Sequence, residues 1–267
     1  MTEATDDSVG EGFSKTAADY DDAVRFNIHG AERLVASFPA GDYRDVLDVG
    51  CGTGFSAFAM ADRFGPLRLT GVDAGEGMLD QFRAKLAARP DITATLHRAD
   101  VLEMPVEDAS FDAVICSMAF HWFPQKRDAM AAMARPLRPG GILGVLCAGT
   151  GGEGEFREVL ARIEPPVPQR AGAFDVLQRD VPDMEEYAVA AGLEPLDIWM
   201  ERRIRRVDPR HFLERIRVVA GHVASGQPAG ELAALTERVE AAVIAAAGPR
   251  GFEYTFTKLF AVLRQPA

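Results

Sequence analysis

Three glycines at alternate positions, Gly50, Gly52 and Gly54, follow the apolar run Val46-Leu47-Asp48-Val49, which is broken by one carboxylate. This pattern reads as a buried strand feeding a loop that can adopt positive φ and lie bare against a ligand, because glycine has no Cβ. A helix starting near Phe55 would turn its unpaired N–H groups toward the same space. About twenty positions later, Thr70-Gly71-Val72-Asp73 ends a second apolar stretch on a carboxylate able to accept hydrogen bonds from both hydroxyls of a ribose. Together these residues describe a nucleoside pocket at the edge of a parallel sheet. The spacing is not that of a dinucleotide loop, since Phe55 stands where Gly-x-Gly-x-x-Gly needs its third glycine. Nor is it a phosphate-gripping loop, because no Lys-Ser or Lys-Thr pair follows the glycines.

A second group of candidates lies in Met118-Ala119-Phe120-His121-Trp122-Phe123-Pro124, just past an almost continuously apolar stretch at 111–117. In open α/β sheets ligands sit beyond the carboxyl ends of the strands, so this loop should face the reacting groups. His121 is its one side chain that titrates near neutrality and is the best general-base candidate. The competing reading, which carries more weight, is that His121 and Trp122 shape the pocket and grip the cofactor. A third group is basic: Arg202, Arg203, Arg205, Arg206, Arg210, Arg215 and Arg217 cluster in an otherwise acidic chain. It reads first as a solvated edge paired with acidic neighbours, and more sharply as a recognition surface for an anionic acceptor.

Elements that could hold these groups alternate along the chain. Strands are predicted at 45–49, 67–72, 92–97, 111–117, 142–147, 196–206 and 252–263. Helices are predicted at 55–64, 77–88, 125–137, 155–163, 184–191, 209–224 and 230–247. Arg138-Pro139-Gly140-Gly141 is expected to turn the chain into the fifth strand. Residues 1–10, small, polar and acidic, are expected to be a disordered tail. Val24, Ile28, Ala31, Val35 and Phe38 fall on one face of a helix within 11–39, stopped by Pro39 and Gly41. The helical stretch at about 208–250 interrupts the last two strands. It is expected to cap the acceptor pocket, with Phe212, Ile216 and Val219 turned inward.

Five pieces fix the family: Val46 to Gly54; Gly71-Val72-Asp73; Arg98-Ala99-Asp100-Val101; Phe111-Asp112-Ala113-Val114-Ile115-Cys116-Ser117; and Leu137-Arg138-Pro139-Gly140-Gly141. In this order and spacing, residues 10–150 resemble the class I S-adenosylmethionine-dependent methyltransferases. The resemblance implies a doubly wound α/β fold with a seven-stranded, mostly parallel sheet. Its seventh strand would run antiparallel beside the fifth, with the sixth at the edge. It also implies S-adenosyl-L-methionine as cofactor. Gly50, Cys51, Gly52 and Gly54 would admit the methionine half, and Asp48 would steady its amino end. Asp73, with Ala74, would hold the ribose, while the Asp100 carboxylate and the Val101 backbone would read the adenine. Met78, Ser117 and Trp122 are further cofactor candidates, Met78 reading first as core. Phe13 and Tyr20-Asp21 lie in a segment similar to that of the biotin-pathway carboxyl methyltransferases and the quinone C-methyltransferases. There these positions fold over the cofactor, and Tyr20 reads either as such a contact or as a packed helix-start residue.

Composition narrows the partners. Of 267 residues 48% are hydrophobic, enough for a core, and the net charge is −11. An acidic surface argues against nucleic acid or an anionic membrane as main partner. No run of eighteen apolar residues spans a membrane, and the first ten residues do not form a signal peptide. The three cysteines, Cys51, Cys116 and Cys147, fall in or at the ends of predicted strands without metal-ligand spacing, which suits a reduced, cytoplasmic setting. The expected activity is methyl transfer to the oxygen, nitrogen or carbon of a small-molecule acceptor, either an anionic metabolite or a group on a carrier protein. The alternatives are a non-methylating enzyme that uses the bound cofactor, and a non-enzymatic cofactor-binding module.

Overall fold

A computed structural model of the chain describes residues 6–164, 179–220 and 229–267. Seven strands form one sheet of order β3-β2-β1-β4-β5-β7-β6. They are β1 (Asp45–Val49), β2 (Leu67–Asp73), β3 (Ile92–Arg98), β4 (Phe111–Ser117), β5 (Leu137–Ala148), β6 (Glu194–Val207) and β7 (Phe252–Arg264). The first five are parallel, and β7 runs antiparallel between β5 and β6. The doubly wound, mostly parallel expectation therefore holds, including the place of the last two strands. Side chains alternate across the pleat. Leu143, Val145 and Cys147 of β5 enter one core with α5 (Lys126–Ala134) and α7 (Val181–Ala190). Ile142 and Leu146 enter the opposite core with α2 (Phe26–Ala36), α3 (Phe55–Phe64) and α4 (Glu76–Leu86). All three cysteines are free and buried.

Three expectations need correction. The tail is helical from its sixth residue, as part of α1 (Asp6–Ala23), while residues 1–5 lie outside the described residues. Tertiary packing overrides a weak helical sequence here: Gly10 is buried against Ala74, and the Gly77 amide donates to Ser14 Oγ at 3.2 Å. The single helix of 11–39 is two, α1 and α2, parted at Val24 and Arg25, where the Asn27 amide bonds back to the Val24 carbonyl at 2.7 Å. That break lets α1 leave the sheet face and cross the site. Finally, Arg138 to Gly141 is no turn but a bulge inside β5. Phe111 pairs with Leu137 and Ala113 with Ile142, so the extra residues bow outward. Gly140 (φ 79°) donates to the Gln265 carbonyl, and Gln265 donates to the Gly141 carbonyl, both at 2.9 Å. Because β5 takes Leu137, α5 ends three residues earlier than predicted. Positions 221–224 of the helix predicted at 209–224 lie outside the described residues.

β6 and β7 pair along their whole length, from Glu194 with Arg264 to Val207 with Phe252. β5 pairs only with Arg264 to Lys258 of β7, so the far half of the hairpin rises past the end of the sheet. On it sit α6 (Gly154–Ala161), α8 (Pro209–Ala220) and α9 (Ala229–Ala246), around a third cluster that includes Phe156, Phe212, Ile216, Val243 and Tyr254. The side chain of Val219 lies outside the described residues. α8 also touches α1. Phe212 is the hub, 1% exposed, with its ring centroid 4.7 to 5.1 Å from those of Phe156, Phe252 and Tyr254. Truncating such a ring forfeits its burial and leaves a cavity. Phe212→Ala should therefore lower stability by about 3–5 kcal/mol in urea unfolding; a change below about 1 kcal/mol would mean that the cap is not anchored there.

Candidate cofactor pocket

The loop after β1 is bent by hydrogen bonds to its neighbour. The Gly50 and Cys51 amides both donate to the Val72 carbonyl, at 2.8 and 3.0 Å, and the Gly54 amide donates to the Cys51 carbonyl at 2.9 Å. Gly50 has φ 65°, and a Cβ there would strike Ala119, so no other residue suits the position. Gly52 has φ 51°, and nothing lies within 4 Å of where its Cβ would point: the loop is open on that side. From the end of β2, Asp73 locks the arrangement. Its Oδ2 accepts the Gly52 amide and its Oδ1 the Gly75 amide, both at 2.8 Å. Burial raises the Asp73 pKa, and the two amide bonds oppose the rise.

Asp48 lies beneath the loop with no exposed surface. Its Oδ1 accepts from Ser56 Oγ at 3.4 Å, and its Oδ2 has no hydrogen-bond partner within the protein. Burial pushes its pKa up to about 7; the Ser56 bond opposes the shift and the Asp73 charge adds to it. The buried Asn27 Oδ1, on α2 at the pocket wall, also lacks a partner. Buried polar atoms left this way cost free energy until a ligand or water meets them.

α1 closes the pocket with Val9, Gly10, Phe13 and Tyr20. The Phe13 ring meets Tyr20 edge-on at 5.9 Å and Trp122 at 5.6 Å. Burial, with Asp73 and Asp21 nearby, pushes the Tyr20 phenol upward, so it stays protonated. Asp21 fastens α1 to the rest: it accepts from Thr53 Oγ1 at 2.6 Å and pairs with Lys85, whose Nζ donates to the Thr53 carbonyl at 3.1 Å. Opposite α1, the end of β4 supplies Ser117, Met118, Ala119, Trp122 and Phe123. Met118 is held at φ 58°, unusual for a side chain of its kind, with its amide donating to the Leu146 carbonyl at 2.6 Å.

Of the residues singled out from sequence, the pocket wall brings together Tyr20, Gly50, Cys51, Gly52, Asp73, Ala74, Met78, Ser117 and Trp122. Asp48 sits behind it. Gly54 is outside the wall, in left-handed backbone at the start of α3, with the Phe82 ring where a side chain would go. Asp100 and Val101 lie beyond it as well: Asp100 Oδ1 accepts the Leu102 amide at 2.6 Å, capping a short 3₁₀ turn, and Val101 joins the core. His121 is 4% exposed and off the wall, its Nδ1 3.4 Å from the Ala148 amide, while the neighbouring Trp122 reaches the pocket. Sequence reasoning missed Val9, Gly10, Asn27, Thr53, Phe55 and Ser56, while Met118, Ala119 and Phe123 come from the loop it had placed at the site. Only the hydroxyls of Thr53 and Ser56, flanking the glycines, gave any signal.

The family described as "Methyltransferase domain" matches residues 46–141, which contain the glycine loop, Asp73 and the β4 loop. A malonyl-[acyl-carrier protein] O-methyltransferase of Hahella chejuensis is 36% identical over 135 residues, 51% of this chain and 47% of that protein. The chain thus matches about half the length of that relative. A demethylmenaquinone methyltransferase of Deinococcus radiodurans is 34% identical over 187 residues, 65% of this chain and 77% of that protein. Among solved structures, one described as a putative methyltransferase from Bacillus halodurans superposes with a TM-score of 0.63 at 17% identity, covering 90% of this chain and all of that one; at such identity it speaks for the fold. Sequence likeness over three quarters of a relative, and a pocket built from the strand ends that the family match contains, lead to one assignment: the chain belongs to the class I S-adenosylmethionine-dependent methyltransferases, related to their small-molecule O- and C-methylating members.

Proposed function

We propose that this chain methylates a small-molecule acceptor, at oxygen, nitrogen or carbon, beneath the cap formed by α6, α8 and α9. The observation that carries the proposal is the pair of carboxylates around the glycine loop, half-buried Asp73 bonded to its amides and fully buried Asp48 with an unpartnered oxygen. Bound S-adenosylmethionine supplies a methyl group already activated by a positively charged sulfur. The groups on and behind the wall suit it. Asp48 would meet the cationic amino end, which would satisfy its Oδ2. Asp73 would hold the ribose, while Asp100 and the Val101 backbone, which the resemblance gives to the adenine, stand beyond the wall. Phe13, Tyr20 and Trp122 offer aromatic faces to a cation and keep water out.

With His121 behind the wall, the chain's contribution is placement: holding the acceptor atom in line at near-attack distance. This favours the reading in which His121 and Trp122 shape the pocket over the one in which His121 abstracts a proton. The two relatives are named for different acceptors, a malonyl carrier protein and demethylmenaquinone. We therefore assign the choice of acceptor to the cap.

Calorimetry with S-adenosylmethionine, and with NAD as control, tests the pocket. Wild-type protein should bind S-adenosylmethionine at micromolar concentration and not NAD, and Asp73→Ala should abolish binding. Preference for NAD would refute the reading. Asp48 gives a pH test. Its folded pKa lies above the unfolded value, so the folded state holds the extra proton and cofactor-free stability falls as pH rises from about 4 through 7. Asp48→Asn removes this loss. Without cofactor it should melt higher than wild type at pH 8, with the gap closing by pH 4. With saturating S-adenosylmethionine at pH 8 the order should reverse. Equal melting at both pH values would mean that Asp48 is not a buried, titrating acid.

A further inference from the structure

A second cavity, of about 420 Å³, opens between α2 and the β6–β7 hairpin. The cofactor pocket and this cavity share α2: Asn27 lines the first and Gly30, one turn on, lines the second. Strand alternation makes the cavity basic. In β6 the side chains of Glu201, Arg203 and Arg205 share a face, and they stand opposite Lys258, Phe256 and Tyr254 of β7 in register. Arg33 enters from α2. Four cations (Arg33, Arg203, Arg205 and Lys258) thus face two carboxylates, Glu32 and Glu201, which makes the described lining basic in a protein whose net charge is −11. Glu201 is already divided between Arg33 at 3.0 Å and Arg203 at 3.3 Å, and Glu32 bonds His29 at 3.1 Å.

Lys258 is the deepest of the cations, 9% exposed, beneath Gly30; any Cβ at position 30 would land on its ammonium group. Burial, with repulsion from Arg205 and Arg203, lowers its pKa to about 8 against the opposing pull of Glu201. Each of those two arginines weighs more on Lys258 than Glu201 does. Below them Phe256 and Phe260 give the cavity an apolar wall.

We propose that this cavity is a binding site for a dianionic phosphate monoester: the phosphate is gripped by Arg203, Arg205 and Lys258, and a small organic group lies against Phe256. Two guanidinium forks and one ammonium suit a phosphate, which takes paired N–H bonds from arginine and a point charge from lysine. The volume exceeds what inorganic phosphate fills. The site stands apart from the glycine loop and does not depend on the methyl-transfer reading.

Calorimetry with phenyl phosphate, inorganic phosphate and phenol tests it, with S-adenosylmethionine affinity read on the same samples. We expect saturable binding of phenyl phosphate, at least tenfold tighter than inorganic phosphate, and none of phenol. Lys258→Met and Arg205→Glu should each weaken phenyl phosphate at least tenfold while leaving cofactor affinity unchanged. Arg203→Glu, whose side chain is 75% exposed and so tolerates exchange, should show the same loss if either of the other variants melts early. Absence of saturable phosphate binding by wild type, equal affinity for phenol, or undiminished binding in Arg203→Glu and Arg205→Glu would overturn the proposal. Loss of cofactor binding by wild type would count against the methyltransferase pocket and leave this outcome readable.

Discussion

Everything at the cofactor pocket depends on how the end of β1 is tied to the end of β2. One carbonyl, Val72, receives two consecutive amides of the glycine loop, and one carboxylate, Asp73, receives a third from Gly52 and a fourth from Gly75. Those bonds satisfy backbone donors that would otherwise be stranded in a tight bend. They also fix the loop's open side toward the space beneath α1. The parallel register that pairs Val49 with Val72 sets the distance these bonds must span. The sheet thus works as the jig for the loop, and the loop for the ligand.

Much of this was legible in the sequence, for reasons that can be named. β1, β4 and α3 have the predicted ends because glycine, proline or a polar residue stops each where an apolar run changes period. The buried cysteines followed from the same pattern, and the hairpin order from the family resemblance. The rest was set by contacts between distant segments. Val9 and Gly10 look like a tail until Ala74 is placed against them. The break at Val24 and Arg25 has no glycine or proline to mark it. The bulge after Leu137 contains a proline and two glycines, the usual marks of a turn, and only pairing with β4 and Gln265 makes it strand. His121 is a nearby case: its type fits a base, but the short turn that carries it aims Trp122, and not the imidazole, into the pocket.

The arginine run shows what a linear reading merges. As a string, Arg202 to Arg206 is one basic patch. In the strand it is two. Arg206 turns to Glu253 at 2.6 Å, and the Arg202 charge helps lower the pKa of Glu155, whose carboxylate is already held by Thr255. Arg203 and Arg205 turn the other way, to α2 and Lys258. Solvated edge and recognition surface were competing descriptions of one cluster, and each fits a different face.

α1 is both a wall of the pocket and a support for the cap. It is tied to the core through Ser14 and Asp21, and α8 rests on it. A ligand as large as a nucleoside cannot pass that wall without parting those ties, and parting them takes away the surface on which α8 lies. Opening the pocket on that side and loosening the cap are therefore one motion, since the same helix serves both.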